Sequence, residues 1–305
     1  MKNSLKAVGV GAALAASLTL AGCGSSASSS SSASADSSAA GSVSGEVKVF
    51  AAASLRNAGK DLEAAFKKAH PNVNFSFTYE GSSKLVQKIE QGEDADLLIT
   101  ADKKNMDKAA KLDEFKGSKS EVIATNKLVL VTADGNPGKI NSIDDLKNTD
   151  GTVAICKEDV PCGTLAHKEL KDHNIELKNA TNESNVAAVT TKVTSGSADA
   201  GFIYTTDLAA AKKDGKNLGS VDLPDVEKNE YPSALTSKGN SSEAAKKFNE
   251  WLTTDEAQKI LESAGFKVEV QNTSIFPAPL GFASGTNPAA SSTAPKGSTV
   301  ILYVT

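Results

Sequence analysis

The chain has little of what a metal centre or a nucleic-acid surface requires. It contains three histidines, His70, His167 and His173, and no two of them stand four residues apart, as paired metal ligands on one helix face would. Its 33 lysines and arginines are outnumbered by 37 acidic residues, which gives a formal net charge of −4. A mildly acidic protein exerts no long-range attraction on nucleic acid or on free anions. The composition therefore argues against a metalloprotein and against nucleic-acid partners, and any bound anion must be held by local dipoles.

The N-terminus predicts export and lipid attachment. Lys2 and Lys6 precede an apolar run, residues 7–20, which is too short for a permanent membrane helix and has the proportions of a signal-peptide core. The run ends in Leu-Ala-Gly-Cys, which resembles the bacterial lipobox, where the cysteine becomes diacylated. Two acyl chains hold a protein at a membrane. We therefore expect a signal peptide over 1–22, a lipid on Cys23 and a location on the outer face of the bacterial cell membrane.

A low-complexity stretch follows the lipobox. Residues 24–44 are almost all serine, alanine and glycine. Such a segment cannot bury enough apolar surface to fold, so we expect 23–44 to form a flexible tether. The roughly 260 residues beyond it are enough for two lobes with separate cores.

Cysteine is also scarce, with three in the chain. Apart from Cys23, Cys156 and Cys162 form an even pair in a compartment that favours oxidation. A disulfide between them is the favoured interpretation, and two free thiols are the alternative. Five intervening residues and no nearby histidine make a poor zinc site.

Strand and helix patterns alternate from Glu46 onward. Short apolar or alternating stretches predict strands, and apolar residues three and four apart predict helices. The predicted strands are 47–51, 73–79, 97–99, 127–131, 153–155 and 200–204; the predicted helices are 54–70, one that opens at Ser82 or Ser83, 163–172, 186–194 and 242–264. Ser54 is the predicted N-cap of the first helix. This alternation predicts an α/β protein with mostly parallel sheets covered by helices.

Four of the predicted strand-to-helix turns look alike. Each offers backbone N–H groups and the positive end of a helix dipole, and some add a hydroxyl. They are Ala53-Ser54, Gly81-Ser82-Ser83, Cys162-Gly163-Thr164 and Asn185-Val186. In open α/β sheets, ligands bind beyond the carboxyl ends of the strands, where helices begin. Several such turns that meet in one cleft would form an anion site without a lysine.

Five segments together resemble a known family. They are residues 49–55 (Val-Phe-Ala-Ala-Ala-Ser-Leu), 81–85 (Gly-Ser-Ser-Lys-Leu), 94–99 (Asp-Ala-Asp-Leu-Leu-Ile), 160–163 (Val-Pro-Cys-Gly) and 201–204 (Gly-Phe-Ile-Tyr). They resemble the periplasmic molybdate-binding proteins of ABC transporters, within the type II periplasmic-binding-protein class. The resemblance implies a two-lobed α/β fold with hinge crossings near Thr125 and at Tyr231-Pro232. The implied lobes are 46–124 plus 234–270 (lobe I) and 125–233 (lobe II).

The resemblance also implies an oxyanion site. Its donors would be the hydroxyl and backbone N–H groups of Ser54 and Ser82, the backbone N–H groups of Cys162 and Val186, and the phenol of Tyr204. Molybdate is a dianion whose oxygens only accept hydrogen bonds, and all of these groups can donate. The implied protein captures molybdate or tungstate through its oxygens, with no direct protein–metal ligand, and delivers it to the permease of an ABC importer. We expect a monomer with no cofactor and no enzymatic activity.

Two alternatives remain open on the residues. A receptor for sulfate or another oxyanion would use the same donors, whereas monohydrogen phosphate is best recognised with a carboxylate acceptor, and none of the five positions is acidic. A secreted enzyme on the same fold would need a poised acid or base in the cleft. Glu80 is the one nearby candidate.

The C-terminus continues past the point where the family normally ends. Residues 287–304 resemble the last half of a PASTA module, a small unit found on cell-wall enzymes and kinases, and Val300 to Val304 predict a terminal strand. We expect 271–305 to be a PASTA-like extension. It would either contact the cell wall or form a small β element that docks on the lobe or stays partly disordered.

Overall fold

The described part of the chain comprises two lobes and a separate pair of strands. The computed structural model describes residues 43–268 and, as backbone, Ala283–Asn287 and Ile301–Val304. The predicted signal peptide, nearly all of the tether and the rest of the C-terminal extension lie outside the described residues. Within the described ranges, no helix is both long and apolar enough to cross a bilayer.

The first lobe is built on a five-stranded sheet. Its strands are β1 (Ser44–Ala52), β2 (Asn72–Glu80), β3 (Leu97–Ile99), β4 (Ser120–Asn126) and β10 (Asn229–Leu235). They lie in the order β2-β1-β3-β10-β4. β1 pairs in parallel with β2 and β3, whereas β10 runs antiparallel to both of its neighbours.

The second lobe repeats this plan. Its strands are β5 (Leu128–Thr132), β6 (Val153–Cys156), β7 (Ala180–Glu183), β8 (Ala200–Tyr204) and β9 (Gly219–Val221). They lie in the order β7-β6-β8-β5-β9, which matches the first sheet position by position. β6 is parallel to β7 and β8, and β5 is antiparallel to β8 and β9.

Eight helices cover the two sheets within the described residues. They are α1 (Arg56–Ala69), α2 (Ser82–Glu90), α3 (Lys103–Ala109), α4 (Pro161–Asp172), α5 (Val186–Thr194), α6 (Thr205–Lys213), α7 (Glu243–Trp251) and α8 (Asp255–Ser263). The chain order β1-α1-β2-α2-β3-α3-β4 recurs as β6-α4-β7-α5-β8-α6-β9. The first two helices of each repeat therefore begin at equivalent places.

Four of the five strands in each sheet run in the same direction, so the expectation of mostly parallel sheets covered by helices is confirmed. One inner strand, β10 in the first sheet and β5 in the second, runs the other way. The cause of this reversed strand is the double crossing between lobes. β4 leaves the first sheet at Asn126 and β5 opens the second at Leu128, so β5 starts at the edge where β6 and β8 end. β10 likewise enters the first sheet at the edge where β3 and β4 end. Each sheet must therefore contain one inner strand that runs away from the cleft. The predicted lobe boundaries, after 124 and after 233, fall inside β4 and β10.

The apolar core of the first lobe holds α7 and α8 on the sheet. Phe248 packs at 5.1 Å from Phe66 and at 4.6 Å from Phe75, between ring centroids, in edge-on arrangements that aromatic pairs favour. On α8, Ala257 and Leu261 are completely buried in the same core. The C-terminal helices are therefore part of this lobe.

One predicted helix is two helices. The periodicity over 242–264 predicts a continuous helix, but the helix ends at Trp251 and restarts at Asp255. Thr254 has an extended backbone, with φ −77° and ψ 156°, which an α-helix does not allow. Its hydroxyl donates to the carbonyl of Trp251, which lies at the open end of α7. Side-chain hydrogen bonding by threonine thus ends a helix that apolar spacing alone would continue.

The last two strands form a sheet of their own. β11 (Ala283–Asn287) and β12 (Ile301–Val304) pair antiparallel. The predicted terminal strand is therefore present. A two-stranded sheet is marginally stable by itself.

Candidate functional site

A small cavity lies between the lobes, at the carboxyl ends of the parallel strands. All four of the similar strand-to-helix turns reach it. The five residues expected to contact an anion all line it: Ser54, Ser82, Cys162, Val186 and Tyr204. The two serines belong to the first lobe and the other three residues to the second, so neither lobe encloses the cavity alone.

The cavity suits only a very small ligand. The centre of a water-sized sphere can reach about 10 Å³ of it. Pockets for drug-sized ligands begin at ~300 Å³. The lobes are in contact around it, since Ala53 of the first lobe is buried in the apolar cluster of the second. The structure thus represents a closed arrangement of the lobes.

Three helices begin at the cavity. α2, α4 and α5 start with Ser82, Pro161 and Val186, and the N–H groups of a first helical turn have no partner within the helix. Because proline has no N–H, Cys162 carries the first donor of α4. Helix N-termini also carry partial positive charge. Three partial positive charges are therefore placed at the cavity without a cation.

Ser54 does not cap α1, which corrects the expectation from its position. A 3₁₀ turn, Ala53–Leu55, precedes the helix, and Leu55 occupies the N-cap position. The Ser54 hydroxyl instead lies 2.8 Å from the Tyr231 hydroxyl. Tyr231 in turn accepts a 3.3 Å hydrogen bond from Asn126 Nδ2. The side chain is thus held at the cavity by a long-range contact.

The hydroxyls of Ser82 and Tyr204 accept hydrogen bonds from the protein. The backbone N–H of Ala101 donates to Ser82 Oγ at 2.9 Å. The amide of Asn229 donates to the Tyr204 hydroxyl. Both hydroxyls consequently keep their own hydrogens for a further partner. Sequence analysis identified neither Asn229 nor Ala101, because these contacts join distant segments.

Three titratable groups at or near the cavity are buried or paired. Burial raises the pKa of Tyr204 well above its usual value, so its phenol remains a donor. Burial also raises the pKa of Asp207 to about 7. Asp207 accepts from the backbone N–H of Tyr204, at 3.3 Å, and so holds local backbone. Glu80, at the edge of the cavity, forms an ion pair with Lys88 at 3.0 Å.

The loop before α4 is closed by a disulfide. Cys156 and Cys162 are bonded, and Val160 and Pro161 between them line the cavity. The bond fixes the point at which α4 begins. Among the described residues, no group of three or more histidine, cysteine, aspartate or glutamate side chains could hold a metal ion.

Gly81 lies where the two lobes touch closely. A Cβ atom at this position would lie 2.5 Å from the carbonyl oxygen of Ser184 and 3.3 Å from Val160, both in the second lobe. Its backbone, at φ −63° and ψ 139°, is one that any residue adopts. The glycine is therefore required by the contact between lobes and not by local geometry.

Comparison with known proteins assigns the architecture. The family model described as bacterial extracellular solute-binding protein matches residues 47–267. The chain belongs to this family. Its members are extracytoplasmic transport proteins and not enzymes. A PASTA domain model matches residues 251–305, so this match begins before the expected start of the extension at 271. The two family matches therefore overlap on α8.

Individual relatives of this solute-binding protein are named for molybdate. The molybdate-binding protein ModA of Mycobacterium tuberculosis is 35% identical over 234 residues, which cover 75% of this chain and 88% of the relative. ModA of Escherichia coli is 31% identical over 235 residues, covering 74% and 90%. The periplasmic molybdate-binding protein of Azotobacter vinelandii shares the fold, with a TM-score of 0.63, 21% identity and coverage of 73% and 99%.

Gly81→Ala should obstruct closure of this solute-binding protein. The added methyl group would meet the Ser184 carbonyl at the lobe contact. Because alanine fits the backbone of the first lobe, the melting temperature without ligand should not change. Calorimetric titration with molybdate, the ion for which the relatives are named, should show affinity at least about tenfold weaker, a loss of ~1.4 kcal/mol. An unchanged affinity would mean that closure does not bring these atoms together.

Removing the disulfide should weaken both stability and binding. In the Cys156→Ala, Cys162→Ala double variant, the chain entropy regained on unfolding predicts a loss of about 2 kcal/mol in the free energy of unfolding. The freed loop should also lower molybdate affinity. Reducing agent should reproduce the loss in the natural protein and have no further effect on the double variant. Full reduction, checked by thiol titration, without any change in affinity would exclude this role.

Proposed function

We propose that this chain captures molybdate, and also tungstate, for delivery to the permease of an ABC importer. The observation that carries the proposal is the convergence of Ser54, Ser82, Cys162, Val186 and Tyr204 on one closed cavity. In this proposal the two serines each donate a hydroxyl and a backbone N–H. Cys162 and Val186 each donate a backbone N–H, and Tyr204 donates its phenol.

The chemistry of the ion supports this assignment. Molybdate has only acceptor oxygens at neutral pH, and the proposed contacts are all donors. Hydrogen bonds to a charged partner contribute ~1.5–3 kcal/mol each. About seven of them exceed the ~8 kcal/mol of a micromolar site, even after the entropy lost on binding is deducted. The absence of an ion pair from the proposed contacts also permits release when the lobes open.

Sulfate is the second candidate, since it also has only acceptor oxygens. Its sulfur–oxygen bonds are shorter than the metal–oxygen bonds of molybdate and tungstate. A cage matched to the larger ions would leave sulfate with stretched hydrogen bonds. The molybdate-binding names of the relatives favour the larger ions. An enzymatic site is disfavoured by the pairing of Glu80 with Lys88.

Calorimetry with four oxyanions tests the proposal. Protein without its predicted signal peptide should bind molybdate and tungstate at least about tenfold more tightly than sulfate, and phosphate least tightly. Ser82→Ala should weaken molybdate binding more than about tenfold, the loss of one charge-assisted hydrogen bond. Ser83→Ala is the matched control, because Ser83 lines the wide outer cleft and not the cavity. Tightest binding of sulfate, or equal effects of the two substitutions, would contradict the proposal.

The two ends of the chain support a proposal about where this protein is located in the cell envelope. A lipid on Cys23 and a flexible tether over 23–44 would hold a monomeric binding protein beside its permease. The leader with its Leu-Ala-Gly-Cys sequence supports the anchor. The PASTA match over 251–305 supports a contact with the cell wall.

Fractionation tests both attachments. The full chain should sediment with membranes, whereas Cys23→Ser should be released, because the substituted serine cannot be acylated at sulfur. The full chain should also sediment with purified peptidoglycan, more than a chain that ends at Val268. Release of both forms from membranes would exclude the anchor. Equal sedimentation with peptidoglycan would exclude the wall contact.

A further inference from the structure

The Ser54 hydroxyl is the last member of a hydrogen-bond chain that begins at the hinge. Asn126, the last residue of β4, lies 3.3 Å from the Tyr231 hydroxyl through its Nδ2 atom. The Tyr231 hydroxyl lies 2.8 Å from Ser54 Oγ. The direction of each hydrogen bond in this chain decides what Ser54 presents to the cavity.

The orientation of the Asn126 amide is determined by its neighbours. Its Oδ1 atom accepts from the backbone N–H of Lys127 at 2.9 Å and from the Thr205 hydroxyl at 3.0 Å. A backbone N–H can only donate, so this side of the amide must be the oxygen. The Nδ2 atom therefore faces Thr206 Oγ1, at 2.8 Å, and Tyr231. Asn126 donates to Tyr231.

The direction of the next bond follows from burial. Tyr231 is 0% exposed, and among the described residues its hydroxyl forms hydrogen bonds with Asn126 and Ser54. Because the Asn126 amide is a donor, Ser54 is the one acceptor that the phenol hydrogen has. Buried polar hydrogens are rarely left without a partner. Tyr231 thus donates to Ser54, and the Ser54 hydrogen remains for the cavity.

The same arrangement recurs at the other two hydroxyls. Ser82 accepts from the Ala101 N–H, and Tyr204 accepts from Asn229. Asn126 and Asn229 are direct cross-strand partners in the β4–β10 pairing. One pair of asparagines at the hinge therefore donates toward hydroxyls on both sides of the cavity.

We propose that Tyr231, oriented by Asn126, is a positioning residue that keeps Ser54 a donor and so favours oxyanions with no proton on any oxygen. This inference rests on the proposed function. A monohydrogen oxyanion carries the same double charge as molybdate but must donate one hydrogen. With Tyr231 in place, the acceptor side of Ser54 is occupied and its hydrogen is free. Selection between unprotonated and monohydrogen oxyanions would then depend on the direction of the hydrogen bonds that join Asn126, Tyr231 and Ser54.

The test compares affinities for molybdate and for monohydrogen phosphate at pH 8, by competition calorimetry on the mature chain. Tyr231→Phe keeps the ring and removes the hydroxyl that links Asn126 to Ser54, here called the relay. This loss should lower the molybdate-to-phosphate affinity ratio about three- to tenfold. Asn126→Asp replaces the donor with an acceptor and should reverse the relay. The phenol would then donate to Asp and accept from Ser54, and the ratio should fall further. Because both ions are dianions, the added charge largely cancels in the ratio.

Two controls keep the outcomes distinct. In the Tyr231→Phe, Asn126→Asp double variant the relay is already absent, so the ratio should match that of Tyr231→Phe alone. Tyr79→Phe makes the same change at a β2 residue that does not line the cavity, and should leave the ratio unchanged. If Tyr231→Phe weakens both ions by the same factor, its role is structural only and the proposal fails; this single variant decides if Asn126→Asp does not fold. Failure of the natural protein to bind molybdate would instead contradict the proposed function.

Discussion

An anion can be held between two lobes without a lysine or arginine only if many N–H and O–H groups point at one place. Here three helix N-termini and three hydroxyls lie around one cavity. Each hydroxyl is held in place by a hydrogen bond with another part of the protein. Such preorganisation avoids the ordering that free side chains would require on binding.

The repeated topology explains how the donors come together. The first two strand-to-helix turns of each lobe occupy equivalent positions, so each lobe supplies two turns to the shared edge. In the proposed function, the full set of donors surrounds the ligand only where the lobes meet at Gly81. Ligand binding would therefore be coupled to closure, since a ligand shifts a population only through contacts that differ between states.

Much of this arrangement could be predicted from the sequence. Apolar periodicity located six of the ten lobe strands and all helices except α3 and α6, with α7 and α8 merged into one, and the motifs identified five residues that line one cavity. The reversed direction of β5 and β10 could not be predicted, since alternation is the same in both directions. Nor could the contact between Tyr231 and Ser54 be predicted, because 177 residues separate them and no local pattern connects them. The sequence also does not distinguish a serine that caps a helix from one that faces a ligand. The prediction that Ser54 caps α1 was wrong for this reason.

The overlap of the two family matches on α8 decides where this chain can be divided. Ala257 and Leu261 of α8 are buried in the core of the first lobe, although the PASTA match already begins at 251. The solute-binding unit therefore extends through α8. A cut at the start of the PASTA match would remove a helix that completes the first lobe, so the two modules cannot be separated at that point.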